Sequence, residues 1–254
     1  MLDIIHIHGF KCAGTTFSSI MNNNYSDQMI CIESKNDKRF DWRNIDLDLL
    51  VEKKCLSSHL MSIPSEGEIA KKIIFFIREP IARTISSFVF RKSRGEFPKE
   101  YSFDNFCKDR LDTNNSNYQW KLLSNQSFLG KQKGWSSEME NNLNRPDIFF
   151  GIVDMFDESL VLLEEELQKI NLNLDLSYGK SLNVSRTKKI FEFNDEYRNL
   201  IKFDQLIYDK FKDKLIKKIN SDQKFPEKLE NFKIRCRKIK SPFKVQEHDE
   251  WLLI

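Results

Sequence analysis

The chain has 254 residues, 40% of them apolar and 31% charged, enough to bury a sizeable core and ordinary for a globular α/β chain. Its net charge of +3 is too small to argue for a nucleic-acid partner, and no run approaches the ~18 consecutive apolar residues of a membrane span. The five cysteines, Cys12, Cys31, Cys55, Cys107 and Cys236, are odd in number and show neither a disulfide framework nor zinc spacing, so they read as reduced thiols of a cytoplasmic protein.

In chain order, Asp3 to His8 reads as a short strand that starts almost at once, and we expect no secretory leader before it. A tight turn follows, and a helix opens over Thr15 to Met21. Gln28 to Glu33 (QMICIE) reads as a second strand ending in a carboxylate. Asn44 to Glu52 has the spacing of an amphipathic helix, with Ile45, Leu47, Leu49, Leu50 and Val51 as its apolar side. Cys55 to His59 is a short third strand. Ile73 to Ile77 (IIFFI) is continuously apolar, as a central parallel strand covered on both faces must be. It ends at Arg78-Glu79-Pro80, where Pro80 suits the first turn of a helix with Ile81, Ile85, Phe88 and Val89 on its buried side.

From Lys92 to Arg145 the chain is polar and aromatic and reads as helices and loops. Ile148 to Val153 returns to a buried strand, and Asp157 is placed to cap a helix bearing Leu160, Leu163 and Leu167. Phe203, Leu206, Ile207 and Phe211 form another helical stripe. Past about Ser221 the pattern weakens, and Phe232 to Lys240 is alternating and basic. No internal repeat is visible. Strands alternating with helices imply βαβ crossovers and an α/β fold with a mostly parallel sheet. We expect one domain over 1–220 and a C-terminal extension over 221–254.

Three places can carry chemistry. The first is IIHIHGFKCAGTTF, Ile4 to Phe17. Gly9 and Gly14 stand five apart, almost the phosphate loop G-x-x-x-x-G-K-[ST], but Thr15 occupies the position of its Lys and the cation sits inside the loop as Lys11. Backbone N–H groups near Gly14, Thr15 and Thr16, with the helix terminus behind them, still favour an anion. The second is REPIARTISSF, Arg78 to Phe88. Arg78 ends a buried strand, where open α/β sheets bind ligands, and with Ser86 it can grip one phosphate. A nucleotide triphosphatase wants an Asp for Mg²⁺ here, so the sequence leaves metal-assisted phosphoryl transfer as the weaker reading. Arg83 stands four residues after Glu79, the spacing of a helical ion pair. The third is His59 in CLSSHLM, whose ordinary pKa of ~6.5 suits a base at neutral pH, with Glu33 as the rival base. His6 and His8 read as packed residues. Tyr118, Trp120 and Trp135 are aromatic enough to stack on sugar rings, with core packing as the alternative. Lys233, Arg235, Arg237, Lys238 and Lys240 are either a solvated face or an attractant for an anionic glycan.

These motifs resemble the sulfotransferases that use 3′-phosphoadenosine-5′-phosphosulfate (PAPS). The likeness is to the carbohydrate group that includes heparan sulfate 2-O-sulfotransferase, and to its bacterial relatives. His8 to Phe17 (HGFKCAGTTF) is similar to the family's 5′-phosphosulfate loop, His-Ile-Pro-Lys-x-Ala-Gly-Thr-[ST], with Gly9 and Phe10 in place of Ile and Pro. Arg78 to Phe88 resembles the 3′-phosphate motif R-D-P-x-x-R-x-x-S, with Glu79 for Asp. SSHLM resembles the segment of the catalytic His. Asn117 to Leu123 (NYQWKLL) resembles N-x-Q-x-x-x-L near the acceptor site. Phe150 to Leu167, Leu182 to Ser185 and Phe203 to Phe211 resemble other family segments.

The resemblance spans about residues 3 to 215. It implies a P-loop-like three-layer fold and PAPS as donor, with no metal required. Lys11, Cys12, Ala13, Gly14, Thr15 and Thr16 would hold the 5′-phosphosulfate, and Arg78 with Ser86 the 3′-phosphate. His59 and Lys11 would be catalytic, and the acceptor a carbohydrate or other small hydroxyl compound. The competing readings are a P-loop kinase or triphosphatase, which Mg²⁺-dependent ATP turnover would reveal, and a non-catalytic nucleotide-binding module.

Overall fold

The computed structural model describes residues 1–35, 38–112, 117–125, 137–179, 195–239 and 252–253. Six strands form one sheet: β1 (Leu2–Ile7), β2 (Met29–Glu33), β3 (Cys55–Ser58), β4 (Ala70–Ile77), β5 (Ile148–Ile152) and the two-residue β6 (Leu252–Leu253). The order is β5-β4-β1-β3-β2-β6, and every pairing is parallel. Ile4, Ile5 and Ile7 of β1 and Ile74, Phe75 and Ile77 of β4 have no exposed surface, as expected of strands covered on both faces. From β1 the chain runs outward to β2 on one side and, through β4, to β5 on the other. The carboxyl ends around β1 are therefore the topological switch point of the sheet, where ligand crevices form.

Nine helices are described: α1 (Gly14–Tyr25), α2 (Pro80–Ser93), α3 (Phe103–Asp112), α4 (Tyr118–Leu123), α5 (Ser137–Asn144), α6 (Phe156–Gln168), α7 (Asp195–Leu200), α8 (Lys202–Ser221) and α9 (Phe225–Lys238). The main core is continuous around the sheet. A second apolar cluster joins Phe88 of α2 to Phe103, Phe106 and Cys107 of α3 and to Tyr197 and Ile201. No helix among the described residues is long and apolar enough to cross a membrane.

The strands expected from sequence are present, with β4 starting three residues earlier than its apolar run. Several expectations need correction. Asn44 to Glu52 is not a helix: two 3₁₀ turns, Trp42–Asn44 and Leu47–Leu50, stand in its place. Asp41 and Asp46 accept the N–H groups of Arg43 and Asp48, local bonds that compete with a longer helix. Leu47 and Val51 point to solvent while Ile45 is buried. Asp157 is not a cap, because the 3₁₀ turn Val153–Met155 runs straight into α6; its Oδ1 instead accepts from the Tyr178 hydroxyl at 2.8 Å. Leu206 is exposed, although Ile207 and Phe211 of its stripe are buried.

The weakly patterned tail contains α9, which packs on α6 and buries Phe225 and Phe232. Its Arg235 pairs with Glu164, Nη2 to Oε2 at 2.6 Å, and also with Asp175; Arg237 pairs with Glu230 at 2.5 Å. Two of the five basic residues, Arg235 and Arg237, are thus already matched with acids. Trp135, Lys240 and the segment Leu182 to Ser185 lie outside the described residues.

Candidate functional site at the carboxyl edge of the sheet

Strand register decides which side chains meet. His6 of β1 lies opposite Ser57 of β3, and Ser57 lies opposite Cys31 of β2. Side chains alternate along a strand, so two residues further on His8, His59 and Glu33 fall on the same sheet face, side by side. The rings bear this out. His6 stacks on His8 at 5.2 Å between centroids, and His8 on His59 at 3.9 Å. Glu33 Oε1 accepts from the His59 backbone N–H at 2.7 Å and from Ser58 Oγ at 2.8 Å. Its Oε2 stands 3.6 Å from His59 Nδ1, an ion-pair distance once the ring is protonated. Two of Glu33's interactions are thus donors it holds in place, which fits a carboxylate that orients His59 better than one that takes protons itself.

His6 is buried, its Nδ1 3.0 Å from Ser57 Oγ and 3.4 Å from Ser18 Oγ. Burial, and secondarily the charge of His59, press its pKa down to about 3. It is a neutral packing residue. His8 lies across Gly14: a Cβ there would stand 1.7 Å from His8 Cδ2, so the imidazole column and the loop close only over a glycine.

The loop after β1 turns through left-handed backbone at Lys11 (φ 64°) and Ala13 (φ 61°), both non-glycine. Such residues cost roughly 1 kcal/mol or more and persist where surroundings over-determine them. The fastenings are visible. The Phe10 N–H donates to the Tyr118 hydroxyl at 3.1 Å, and Cys12 Sγ to Gln119 Oε1 at 3.5 Å. Cys12 is buried and its thiol is pushed up to about 11, first by burial, so it is neutral at physiological pH and does not act as a thiolate. No side chain caps α1, so the N-terminal groups at Gly14, Thr15 and Thr16 keep the partial positive charge of a helix terminus. Thr16 is buried and Thr15 half-buried.

Lys11 lies with its Nζ 4.1 Å from the centroid of Phe90 on α2. Its pKa is lowered, by burial first and then by the neighbouring Arg78. Arg78 Nη1 donates to the Lys11 carbonyl at 3.1 Å, so the two cationic residues are brought together. Arg78 Nε is buried with no hydrogen-bond partner among the described residues. Its peptide is clamped on both sides by Gln119: Arg78 N donates to Oε1 at 2.8 Å, and Nε2 donates to Arg78 O at 2.9 Å.

Sequence reasoning had placed Gln119 only by resemblance, near an acceptor; here it ties the end of β4 to the loop. Asn117 and Asp204 hold that clamp. Asn117 Oδ1 accepts the N–H groups of Phe203 and Asp204 at 3.0 Å, and the Asp204 carboxylate accepts those of Gln119 and Trp120 at 3.2 and 2.7 Å. Burial pushes the Asp204 carboxyl above its usual range. The signal for this exchange lay in the N-x-Q spacing, but its partner is 85 residues away from Gln119 in the chain. Trp120 has no exposed surface and stacks on Phe203, so it is core and not a sugar platform.

On α2, Glu79 is the N-cap, accepting from Ile81 N at 3.1 Å and Ala82 N at 2.6 Å. It makes no ion pair with Arg83 among the described residues, contrary to the spacing-based expectation. The guanidinium of Arg83 lies instead 4.7 Å from the centroid of the Tyr118 ring. The helix also turns otherwise than expected: Arg83, Ser86 and Ser87 are buried together with Phe88, while Ile81, Ile85 and Val89 are only partly buried. A helix that sends a polar face inward toward a cationic loop is built around something other than apolar packing.

The class defined by fold and site is therefore an α/β protein with an all-parallel sheet that carries a cationic, histidine-bearing cluster at its switch point. Compared with protein-family models the chain matches none, and no curated protein matches it.

Proposed function

We propose that the protein is a PAPS-dependent sulfotransferase with a P-loop-like fold. The observation that carries this reading is the convergence on one sheet edge of Lys11, Arg78 and the His59–Glu33 pair, with Arg78 Nη1 3.1 Å from the Lys11 carbonyl. Two cationic grips beside a carboxylate-oriented imidazole suit a doubly phosphorylated donor facing an acceptor hydroxyl. Lys11 and the loop of Cys12, Ala13, Gly14, Thr15 and Thr16 take the 5′-phosphosulfate. Arg78, whose Nε lacks a partner among the described residues, and the buried Ser86 take the 3′-phosphate.

In the proposed reaction, His59 Nε2 removes the acceptor proton as the acceptor oxygen attacks sulfur. The new oxygen–sulfur bond forms as the bond from sulfur to the 5′-phosphate oxygen breaks, and the electron pair leaves with adenosine 3′,5′-bisphosphate. Glu33 stabilises the imidazolium that results. Lys11 and the α1 terminus meet the charge growing on the sulfuryl group and the leaving oxygen. General-base help of this kind is worth about 10²–10⁴-fold. β4 ends in Ile77, followed by Arg78, and the carboxylate after it, Glu79, is engaged as the N-cap of α2, which favours sulfuryl over Mg²⁺-dependent phosphoryl transfer. The acceptor is proposed to be a hydroxyl of a carbohydrate or other small molecule, on the strength of the motif resemblance.

The test is transfer of radiolabelled sulfate from PAPS across a panel of glycans, lipids and small alcohols, with His59→Ala as the control. Transfer that depends on His59 is expected. Mg²⁺-dependent ATP turnover in its place would identify the kinase or triphosphatase alternative, and tight nucleotide binding with no transfer to any acceptor a non-catalytic module.

A further inference from the structure

Arg83 is 3% exposed, yet among the described residues its guanidinium makes no hydrogen bond and no ion pair; its one direct partner is the Tyr118 ring. One helical turn on, Ser87 has no exposed surface, and its Oγ is likewise without a partner. A helical Ser usually bonds back to a carbonyl of the preceding turn, so a silent hydroxyl beside a silent guanidinium on one helix face needs explaining. Arg110 of α3, 9% exposed, lies within electrostatic reach: its pKa falls to about 10, through burial first and then through the charges of Arg83 and Arg91. Arg91 is one turn beyond Ser87 on α2.

Arg83 and Ser87 thus share one face of α2 a turn apart, and the charge of Arg110 is felt at Arg83. The nearby acid, Asp204, feels the charge of Arg83, but it forms no ion pair with Arg83 among the described residues, and its oxygens are engaged with the N–H groups of Gln119 and Trp120. Glu96 reaches only Arg91, 3.8 Å away at the surface. Leaving a buried cation unmatched is among the costliest arrangements in a fold, and the guanidinium fork is shaped for tetrahedral oxyanions.

We infer that Arg83 and Ser87 form the core of a binding site for a phosphate- or sulfate-type oxyanion beside the Lys11–Arg78 cluster. The site stands on its own, whether or not the protein transfers sulfuryl groups. Two sources share this chemistry: a phosphate of a bound nucleotide, and a separate anion such as inorganic phosphate or a charged group on an acceptor.

The experiment uses the full chain. Thermal unfolding is followed while inorganic phosphate is titrated at ionic strength held constant with chloride, for the wild type, Arg83→Met, Arg83→Lys and Ser87→Ala. The wild type should show a saturable rise in Tm at low millimolar phosphate. Arg83→Met should be at least as stable as the wild type in chloride, since it removes an unmatched buried charge, and should need at least tenfold more phosphate. Ser87→Ala should need several-fold more with Tm in chloride unchanged.

Affinities for adenosine 3′,5′-bisphosphate and adenosine 5′-monophosphate separate the sources. A loss confined to the bisphosphate in Arg83→Met assigns the site to the nucleotide's 3′-phosphate; unchanged affinity for both, with the phosphate response lost, assigns it to a separate anion. The inference is overturned if Arg83→Met is less stable in chloride and keeps the wild-type phosphate response and both affinities. If that variant does not fold, Arg83→Lys and Ser87→Ala with wild-type phosphate dependence overturn it equally. A wild type that ignores the bisphosphate but shows the Arg83-dependent response keeps this site and removes the sulfotransferase reading.

Discussion

Replacing Glu33 by Gln tests the orientation of the proposed base. The change keeps the size of the side chain and an oxygen to accept from Ser58 Oγ and the His59 N–H, so the fold should survive with a loss of about 1 kcal/mol. It removes the negative charge 3.6 Å from His59 Nδ1. At an effective dielectric of about 20 that attraction is roughly 4–5 kcal/mol for the imidazolium. The two side chains retain 13% and 11% of their exposure, and screening removes part of it. Taking about half as the loss in the transition state, kcat should fall by at least about 30-fold. The affinity for adenosine 3′,5′-bisphosphate should not change, because Glu33 is not among the grips. Initial rates of sulfate transfer from PAPS, with calorimetric titration of the bisphosphate on the same preparations, make the comparison. A Glu33→Gln protein with undiminished kcat refutes the orienting role.

Three further outcomes follow from the same geometry. His6 has a folded pKa pressed to about 3 against an ordinary value of about 6.5, so the unfolded chain binds more protons between the two and stability is lost as pH falls through that window. Denaturant titrations should show about 2 kcal/mol lost between pH 6.5 and 5 that His6→Gln does not lose; equal slopes would contradict the burial of a neutral imidazole. Gly14→Ala puts a Cβ 1.7 Å from His8 Cδ2, and should cost about 1–3 kcal/mol of stability together with most nucleotide affinity; wild-type behaviour in both would show that the ring and the loop do not meet as described. Phe232→Ala should cost about 3–5 kcal/mol in the same assay, since Phe232 is fully buried in the main core, and a change under ~0.5 kcal/mol would return α9 to the status of a loose appendage.

What the sequence showed and what it hid divide along physical lines. β1 was legible from its alternating apolar run and β4 because a strand covered on both faces is continuously apolar, and Pro80 behind Arg78 announced α2. The loop was legible because two spaced glycines and a double Thr are rare between a strand and a helix. The segment from Asn44 to Glu52 misled because its apolar spacing is helical while Asp41 and Asp46 hold local turns. The burial of α2's polar face was hidden, since periodicity assigns the apolar side to the core and cannot see a cationic loop on the other. Asn117 and Asp204 were hidden for a different reason: they exchange caps between α4 and α8, written in two segments far apart in the chain. α9 has few apolar anchors, Phe225 and Phe232 chief among them, within a charged run, too few to raise a stripe.

The central claim is that the sheet edge at the ends of β1, β3 and β4 holds an adenosine bisphosphate by its two separated anionic groups. It is tested most directly by calorimetric titration of the full chain, in parallel, with adenosine 3′,5′-bisphosphate without metal and with Mg-ATP. The account predicts saturable binding of the bisphosphate, weakened at least tenfold by Arg78→Ala and by Lys11→Ala, and no comparable binding of Mg-ATP. Tight binding of Mg-ATP with indifference to the bisphosphate would contradict it.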